Sequence, residues 1–528
     1  MASSLSIPPL EGSVCNRNHA IFKFVPTSYD EVAYPSHAFA QTHPDRLGAM
    51  ATIFGMTPAP VERCRVLELG CGNGSNLIPM AFSLPGSRFV GVDLAATQVE
   101  IGAARAAALE LKNIELRHLD VMDIRREFGE FDYIIAHGLY SWVPPAVREK
   151  VFDVLRQNLA PNGVGYVSYN TFPGGHIRRL VREILLYHTR DIPDPKERVR
   201  EALSLARYLS MWKHDKDNER DLMRAEFERV LGYDPGHFYH DDLAELNTPV
   251  YFHEFMEQAS RHGLQYLAEA DLYEMQGPPA APQGPEAPRL PSPGDLIEFE
   301  QYIDFLRCRR FRQTLLCHDG VALDRTLGPG RLRGLYLASP LRPAAQTPDF
   351  SHGKIERFTG PKNSEIETDF PAAKAALTLL GGIFPSNMRF EDLLRRSRAL
   401  AAAGQTNGDD WPEQIAQELA AMLLKMYAAN VVEIAAGRSR FTVELSDRPQ
   451  ASRLVREQLE TGDVAVNQLH RLVEIPDANA RLLLRLADGT RDLAALRCDL
   501  TAALQTEISE EDVIKNLRNA AHRAMLVG

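Results

Sequence analysis

Glu68 sits in a short apolar run, Val66 to Leu69, and glycines follow it at positions 70, 72 and 74. A buried strand, a turn without side chains and a helix start would bring bare backbone N–H groups against a ligand. The dinucleotide fingerprint G-x-G-x-x-G requires glycine at 75, where this chain has Ser75. A second apolar run, Arg88 to Val92, stops at Asp93. A carboxylate at a strand tip can accept hydrogen bonds from both hydroxyls of a ribose.

Three further segments continue the pattern: LDVMDI at Leu119 to Ile124, FDYIIA at Phe131 to Ala136, and GVGYVSYN at Gly163 to Asn170. In order and spacing, the five segments resemble the class I S-adenosylmethionine-dependent methyltransferases. The resemblance implies S-adenosylmethionine as cofactor, with Glu68, Gly70, Gly72 and Gly74 in the turn beneath its methionine part. It implies Asp93 and the adjoining Leu94 at the ribose, and Asp120 at the adenine amino group. The backbone N–H of Val121 would meet a ring nitrogen, and His137 would lie beside the cofactor. An ordinary α/β turn with no cofactor is the alternative that the glycine motif alone would leave open.

The elements that must position these residues follow from periodicity. From Gly55 to about Leu186, apolar runs alternate with helical stretches, which supports a doubly wound, Rossmann-like parallel sheet of the α/β class. At 528 residues the chain is long enough for three or four domains. Residues 1–54 are expected to form an N-terminal extension and a cofactor-covering arm, 55–190 the methyltransferase core, and 191–275 a helical regulatory or dimerisation region. A Pro-rich linker or loop (276–296), a middle region (297–370), a winged-helix-like module (371–450) and a C-terminal helical region (451–528) complete the expected order. The winged-helix expectation rests on three helices near 371–381, 389–403 and 412–428, followed by a strand pair at 431–435 and 440–445. The third helix has one lysine against two glutamates and an apolar face, so the module reads as a protein contact rather than a DNA reader.

Composition narrows the partners. The net charge of −11 argues against a general nucleic-acid surface, because phosphate neutralisation needs clustered Lys and Arg. No run reaches the roughly 18 apolar residues of a membrane span. Six cysteines lack C-x-x-C spacing, so neither a zinc site nor a disulfide framework is indicated, and a cytoplasmic setting fits. His237, His240, Asp241, Asp242 and His253 form a dense polar group without a metal-ligand spacing, and cavity-lining and helix-capping readings stand beside the metal one. Arg307, Arg309, Arg310 and Arg312 suit an internal salt-bridge set or a solvated face better than an acidic partner.

Ligands of open α/β sheets sit at the carboxyl ends of the strands, so the segments after the fourth and fifth strands should face the methyl acceptor. There Tyr140, Trp142, Tyr169 and Asn170 are the candidate catalytic and acceptor-slot residues. Aromatic faces attract ammonium ions, so a lysine side chain or another amine suits them. The packing alternative, in which these rings fill the core edge, stays open. Tyr29, Tyr34 and His43 in the N-terminal arm either close the site over the cofactor or anchor the arm.

The segments THPDRL (42–47), AHGLYSWVP (136–144), SYNTFPGG (168–175) and FYHDDLAELNTPVYFHEF (238–255) narrow the resemblance. They are similar to bacterial methyltransferases with a methyltransferase regulatory domain, among them the rickettsial protein lysine methyltransferases. That resemblance implies a protein-lysine acceptor, an open cavity and a homodimer. A small-molecule acceptor and a cofactor-sensing interaction protein are the alternatives.

Overall fold

The computed structural model describes residues 37–211, 218–277, 291, 294–402 and 411–528. Tyr29 and Tyr34 lie outside them, as does most of the proline-rich stretch.

Seven strands form the central sheet: β1 (Arg65–Leu69), β2 (Arg88–Asp93), β3 (Ile114–His118), β4 (Phe131–Ala136), β5 (Leu159–Asn170), β6 (Leu264–Glu269) and β7 (Phe311–His318). Their spatial order is β3-β2-β1-β4-β5-β7-β6. The first five are parallel, and β7 runs antiparallel between β5 and β6. Strand alternation sends successive side chains to opposite faces, and both faces are apolar as expected of a covered parallel sheet. Val66, Phe89, Tyr133 and Val164 belong to one core, and Leu67, Leu69, Val92 and Val167 to the other.

Helices α1 (Pro44–Ile53), α2 (Leu77–Ser83), α3 (Ala96–Ala108), α4 (Pro145–Asn158) and α5 (Gly175–Thr189) accompany the first five strands. Proline opens both α1 and α4, where its missing N–H costs no helical bond. Then come α6 (Pro195–Met211), α7 (Asn218–Leu231) and α8 (Pro235–Asp242), which pack with α5 around Val181, Leu185, Phe227 and Phe238. This helical lobe is inserted into the sheet domain rather than appended to it. After it the chain returns through α9 (Phe252–Arg261) to β6, then through α10 (Leu296–Arg307) to β7. Two strands of the core therefore fall within the stretches expected to form a helical regulatory region and a middle region.

Residues 320–436 continue the first core: Leu337, Leu377, Leu419 and Met426 share one cluster with Leu47, Met50 and Tyr133. The three helices expected there are present as α11 (Pro371–Ile383), α12 (Phe390–Ala402) and α13 (Glu413–Ala428). The hairpin expected after them is not. Strand Glu433–Ala435 pairs instead with Tyr336–Ala338, and residues 440–445 form no strand. The winged-helix order comes later. Helix α14 (Arg453–Thr461) precedes a hairpin of Val464–Val466 and Leu472–Glu474, and α15 (Ala478–Leu486), α16 (Leu493–Leu504) and α17 (Glu510–His522) follow. These three helices and α14 have their own core around Val455, Leu483, Leu496 and Leu517. Ser509 caps the last helix by accepting from the Asp512 N–H at 3.1 Å, as its sequence suggests.

The four arginines before and within β7 form an internal set. Arg307 and Arg309 meet Glu274, Arg310 meets Glu226, and Arg312 meets Glu269, Glu300 and Asp304. No helix among the described residues is long and apolar enough to cross a membrane.

Candidate functional site

β1 ends in a turn that needs glycine at three of its positions. Gly70, Gly72 and Gly74 all have positive φ, and a Cβ on Gly74 would come within 2.9 Å of Leu116. The turn is fastened to its neighbour strand: the N–H groups of Gly70 and Cys71 donate to the Val92 carbonyl at 2.9 and 3.1 Å. Gly72 N–H donates to Asp93 Oδ2 at 2.7 Å, and Ala95 N–H to Asp93 Oδ1 at 2.8 Å. Each Asp93 oxygen is thus aimed by a backbone donor, at the tip of β2.

A cavity of about 730 Å³ opens above these strand ends. That volume lies within the usual range of about 300–1,000 Å³ for small-molecule sites. Glu68, Gly70, Gly72, Asp93 and Leu94 line one part of it, with Asp120, Val121 and His137 beside them. Asp120 begins a short 3-10 turn, where its Oδ1 accepts from Met122 N–H at 2.9 Å. Glu68 is buried; its Oε1 accepts from Asn76 Nδ2 at 2.8 Å, while Oε2 has no hydrogen-bond partner. Burial is the main cause that pushes this carboxyl up to about 8. Tyr166 donates its hydroxyl proton to Gln313 Oε1 at 2.8 Å, so the 2.9 Å bond to His137 is donated by Nδ1. Burial holds the His137 imidazole down at about 4, hence neutral, with a lone pair on Nε2.

Trp142 and Asn170 line the other part of the cavity. The loop carrying Trp142 is stitched to β5, since Gly138 N–H donates to Ser168 Oγ and Asn170 N–H to Ser141 Oγ, both at 2.8 Å. Asn170 Nδ2 donates to Asn247 Oδ1 at 3.2 Å, which draws the post-lobe segment to the cavity wall. Leu139, Val143, Pro144 and Val147 add an apolar face.

Other expected residues are placed elsewhere. Tyr140 and Tyr169 do not line the cavity: both are fully buried in an aromatic cluster with Phe255. The Tyr140 hydroxyl donates to Gln258, and that of Tyr169 pairs with Thr314 at 3.0 Å. They are packing residues, which corrects the acceptor-slot expectation. His43 is buried as the cap of α1, its Nδ1 accepting from Asp45 N–H at 3.2 Å, and does not cover the cavity. Gly74 lies behind the turn and serves it without lining.

Five arginines of the lobe and β7 approach also line the cavity, and the glycine pattern gave no sign of them: Arg178, Arg179, Arg182, Arg229 and Arg310. Arg178 grips Asp242 through two bonds of 3.0 and 3.1 Å and reaches Asp241 at 3.3 Å. Arg182 donates to the Ala244 carbonyl at 2.7 Å and lies 5.9 Å from the Trp142 ring. His237, singled out for metal or polar lining, lines the cavity with its ring 6.0 Å from His37. Among the described residues no cluster of histidine, cysteine or carboxylate ligands has metal-site geometry.

Comparison with known proteins agrees with this geometry. A methyltransferase domain matches residues 67–164, a predicted methyltransferase regulatory domain residues 234–318, and the PKMT C-terminal winged helix domain residues 447–515. An uncharacterized protein of Rickettsia prowazekii is 33% identical over 477 residues, covering 89% of this chain and 84% of its own. PKMT2 from Rickettsia typhi, solved in complex with AdoHcy, superposes with a TM-score of 0.81 at 26% identity. That match covers 94% of this chain and all of PKMT2. The chain belongs to the PKMT family of S-adenosylmethionine-dependent methyltransferases. In this methyltransferase the regulatory-domain match begins at the last helix of the lobe and ends at the last residue of β7, so it includes two strands of the catalytic sheet. The winged-helix match falls on the α14–α17 unit rather than on residues 371–450.

Proposed function

We propose that this methyltransferase transfers methyl groups from S-adenosylmethionine to the ε-amino groups of protein lysines. The observation that carries the reading is the extent of its likeness to PKMT2, which runs through the lobe and the C-terminal units and not the sheet domain alone. The cavity fits the cofactor. Glu68 presents a buried oxygen without a partner, suited to a cationic donor such as the cofactor's ammonium group. Asp93 would take the ribose hydroxyls with the remaining lone pairs of its two aimed oxygens, and Asp120 with Val121 would take the adenine edge.

When bound, S-adenosylmethionine supplies an electrophilic methyl group on a sulfonium and departs as a neutral thioether. What the chain must do is align an uncharged amine and keep water away. Trp142, Asn170 and the apolar wall of Val143, Pro144 and Val147 would shape that end. Enclosure beside cationic groups lowers the pKa of an amine from about 10.4, which favours the neutral nucleophile. The lobe exposes Tyr187, Tyr208, Met211 and Leu222, and a second copy of the chain covering them is part of the same reading.

Transfer of labelled methyl groups from S-adenosylmethionine into a protein extract and a small-molecule extract tests this. Label recovered as methyl-lysine after acid hydrolysis is the expected result, and label confined to small molecules overturns the acceptor. Asp93→Ala should lower cofactor affinity by roughly 100-fold, since hydrogen bonds to a charged group contribute about 1.5–3 kcal/mol. Unchanged affinity in that variant would remove the cofactor assignment itself.

A further inference from the structure

The turn of the winged-helix hairpin reaches the catalytic core. Val466 and Leu454 pack against Ile78, Ala106 and Leu109 of α2, α3 and the turn after α3, and Arg453 meets Glu110 at 3.1 Å. This seats His470 at the hairpin turn with left-handed backbone, φ +57°, and a buried ring. Its Nε2 lies 2.9 Å from Asn76 Oδ1, across 394 positions of sequence. Burial and the neighbouring His43 keep the imidazole well below its ordinary pKa, so it is neutral and donates from Nε2.

Asn76 leaves little freedom in how this bond is used. Its Oδ1 accepts from His470 and from Phe39 N–H at 3.0 Å, while Nδ2 donates to Thr42 Oγ1 at 3.0 Å and to Glu68 Oε1 at 2.8 Å. Thr42 directs its own proton to the Phe39 carbonyl at 2.8 Å, so it receives from Asn76. The amide is therefore fixed in one orientation by donors on its oxygen and acceptors on its nitrogen. Glu68 lines the cavity, and its far oxygen is buried without a partner.

We propose that His470 is a positioning residue of the cofactor site, through which the C-terminal winged helix holds Asn76 and so orients the Glu68 carboxylate toward the cavity. The inference rests on the reading of Glu68 as a cofactor contact. Without the His470 donor, the Asn76 amide keeps its bonds to Phe39 and Thr42 but loses one of the two donors on Oδ1, so its hold on the Glu68 carboxyl loosens. The winged helix then acts in cofactor binding as well as in any contact with a protein substrate.

The test uses the full chain and S-adenosylhomocysteine as titrant in calorimetry, with kcat measured at saturating S-adenosylmethionine. His470→Leu and His470→Met should each raise the dissociation constant about tenfold while leaving kcat within about twofold; either folded variant suffices. His470→Gln, whose amide nitrogen can stand where Nε2 stood, should restore near-native affinity. The double variant Glu68→Gln with His470→Leu should bind no more weakly than Glu68→Gln alone. Unchanged affinity in the apolar variants overturns the proposal, as do equal losses in His470→Gln and His470→Leu, or losses that multiply in the double variant. If Glu68→Gln itself binds normally while Asp93→Ala does not, the Glu68 reading has failed rather than the link to His470.

Discussion

At the β6–β7 edge of the sheet, Arg312 is wholly buried and each of its three guanidinium nitrogens is paired. Nε reaches Asp304 at 2.9 Å, Nη1 reaches Glu269 at 2.6 Å, and Nη2 reaches the Glu300 carboxylate at 3.1 Å and its carbonyl at 3.0 Å. Beneath the glycine turn Glu68 is also buried, yet one oxygen is left over beside a cavity. Both regions bury ionisable groups, whose charged forms are costly unless paired. At the edge the pairing is internal and complete, so the charges are structural. At the turn the pairing is incomplete, and a ligand can complete it. Burial of a charged group therefore does not mark a site; residual hydrogen-bonding capacity on a residue of a cavity wall does.

Removing the cation from the satisfied cluster should have the largest effect. Arg312→Met leaves Glu269, Glu300 and Asp304 facing one another, and breaking a buried ion pair in this way costs about 3–5 kcal/mol. Denaturant unfolding should show that loss, while cofactor affinity of the folded fraction stays native. A loss of affinity at full stability would blur the contrast between the two regions.

Glu68→Gln addresses the incomplete side. Burial raises the Glu68 carboxyl from 4.5 to about 8. A group whose pKa is raised by folding contributes stability that is complete below its unfolded pKa and lost as pH rises through the folded value. Without cofactor, the wild type should therefore lose stability from about pH 4.5 to about pH 8, and Glu68→Gln should not. Melting temperatures should diverge by several degrees at pH 9 and converge at pH 5. Parallel curves would show that Glu68 has an internal partner after all.

The acceptor end should respond more weakly. Trp142→Ala is expected to lower kcat/KM for the acceptor about tenfold, the equivalent of 1.4 kcal/mol, with cofactor affinity unchanged. Tyr140→Phe keeps the packed ring and loses only the hydrogen bond to Gln258, worth about 0.5–1.5 kcal/mol. Its activity should match the wild type, and a large loss would return Tyr140 to the acceptor slot.

The same division decides what could be read from the chain alone. Asp93 and the glycine turn are legible because strand, turn and helix start are local, and the ligand-facing groups are fixed by backbone geometry. Tyr169 and Asn170 both end β5, and sequence position alone assigns them to the same place. A strand sends neighbours to opposite faces, so Asn170 lines the cavity and Tyr169 enters the core behind it. The apolar run at 431–435 reads as a strand, but its partner is the distant 336–338 segment, and pairing at that range leaves no local trace. Likewise Asn76 shows nothing in sequence of its bond to His470, which exists only because two units with cores of their own pack together.

The position of β7 between β5 and β6 bears on how the protein is made. Strand β5 ends at Asn170, and the strand that covers its outer edge begins at Phe311. At ordinary rates of translation the interval between them is on the order of ten seconds. Throughout it, the nascent chain carries a long apolar strand with an unpaired row of N–H and carbonyl groups, the form of surface that recruits other strands. The lobe encoded in that interval is synthesised while the edge is still open, so whatever shields β5 on the ribosome protects the nascent chain from pairing with other strands.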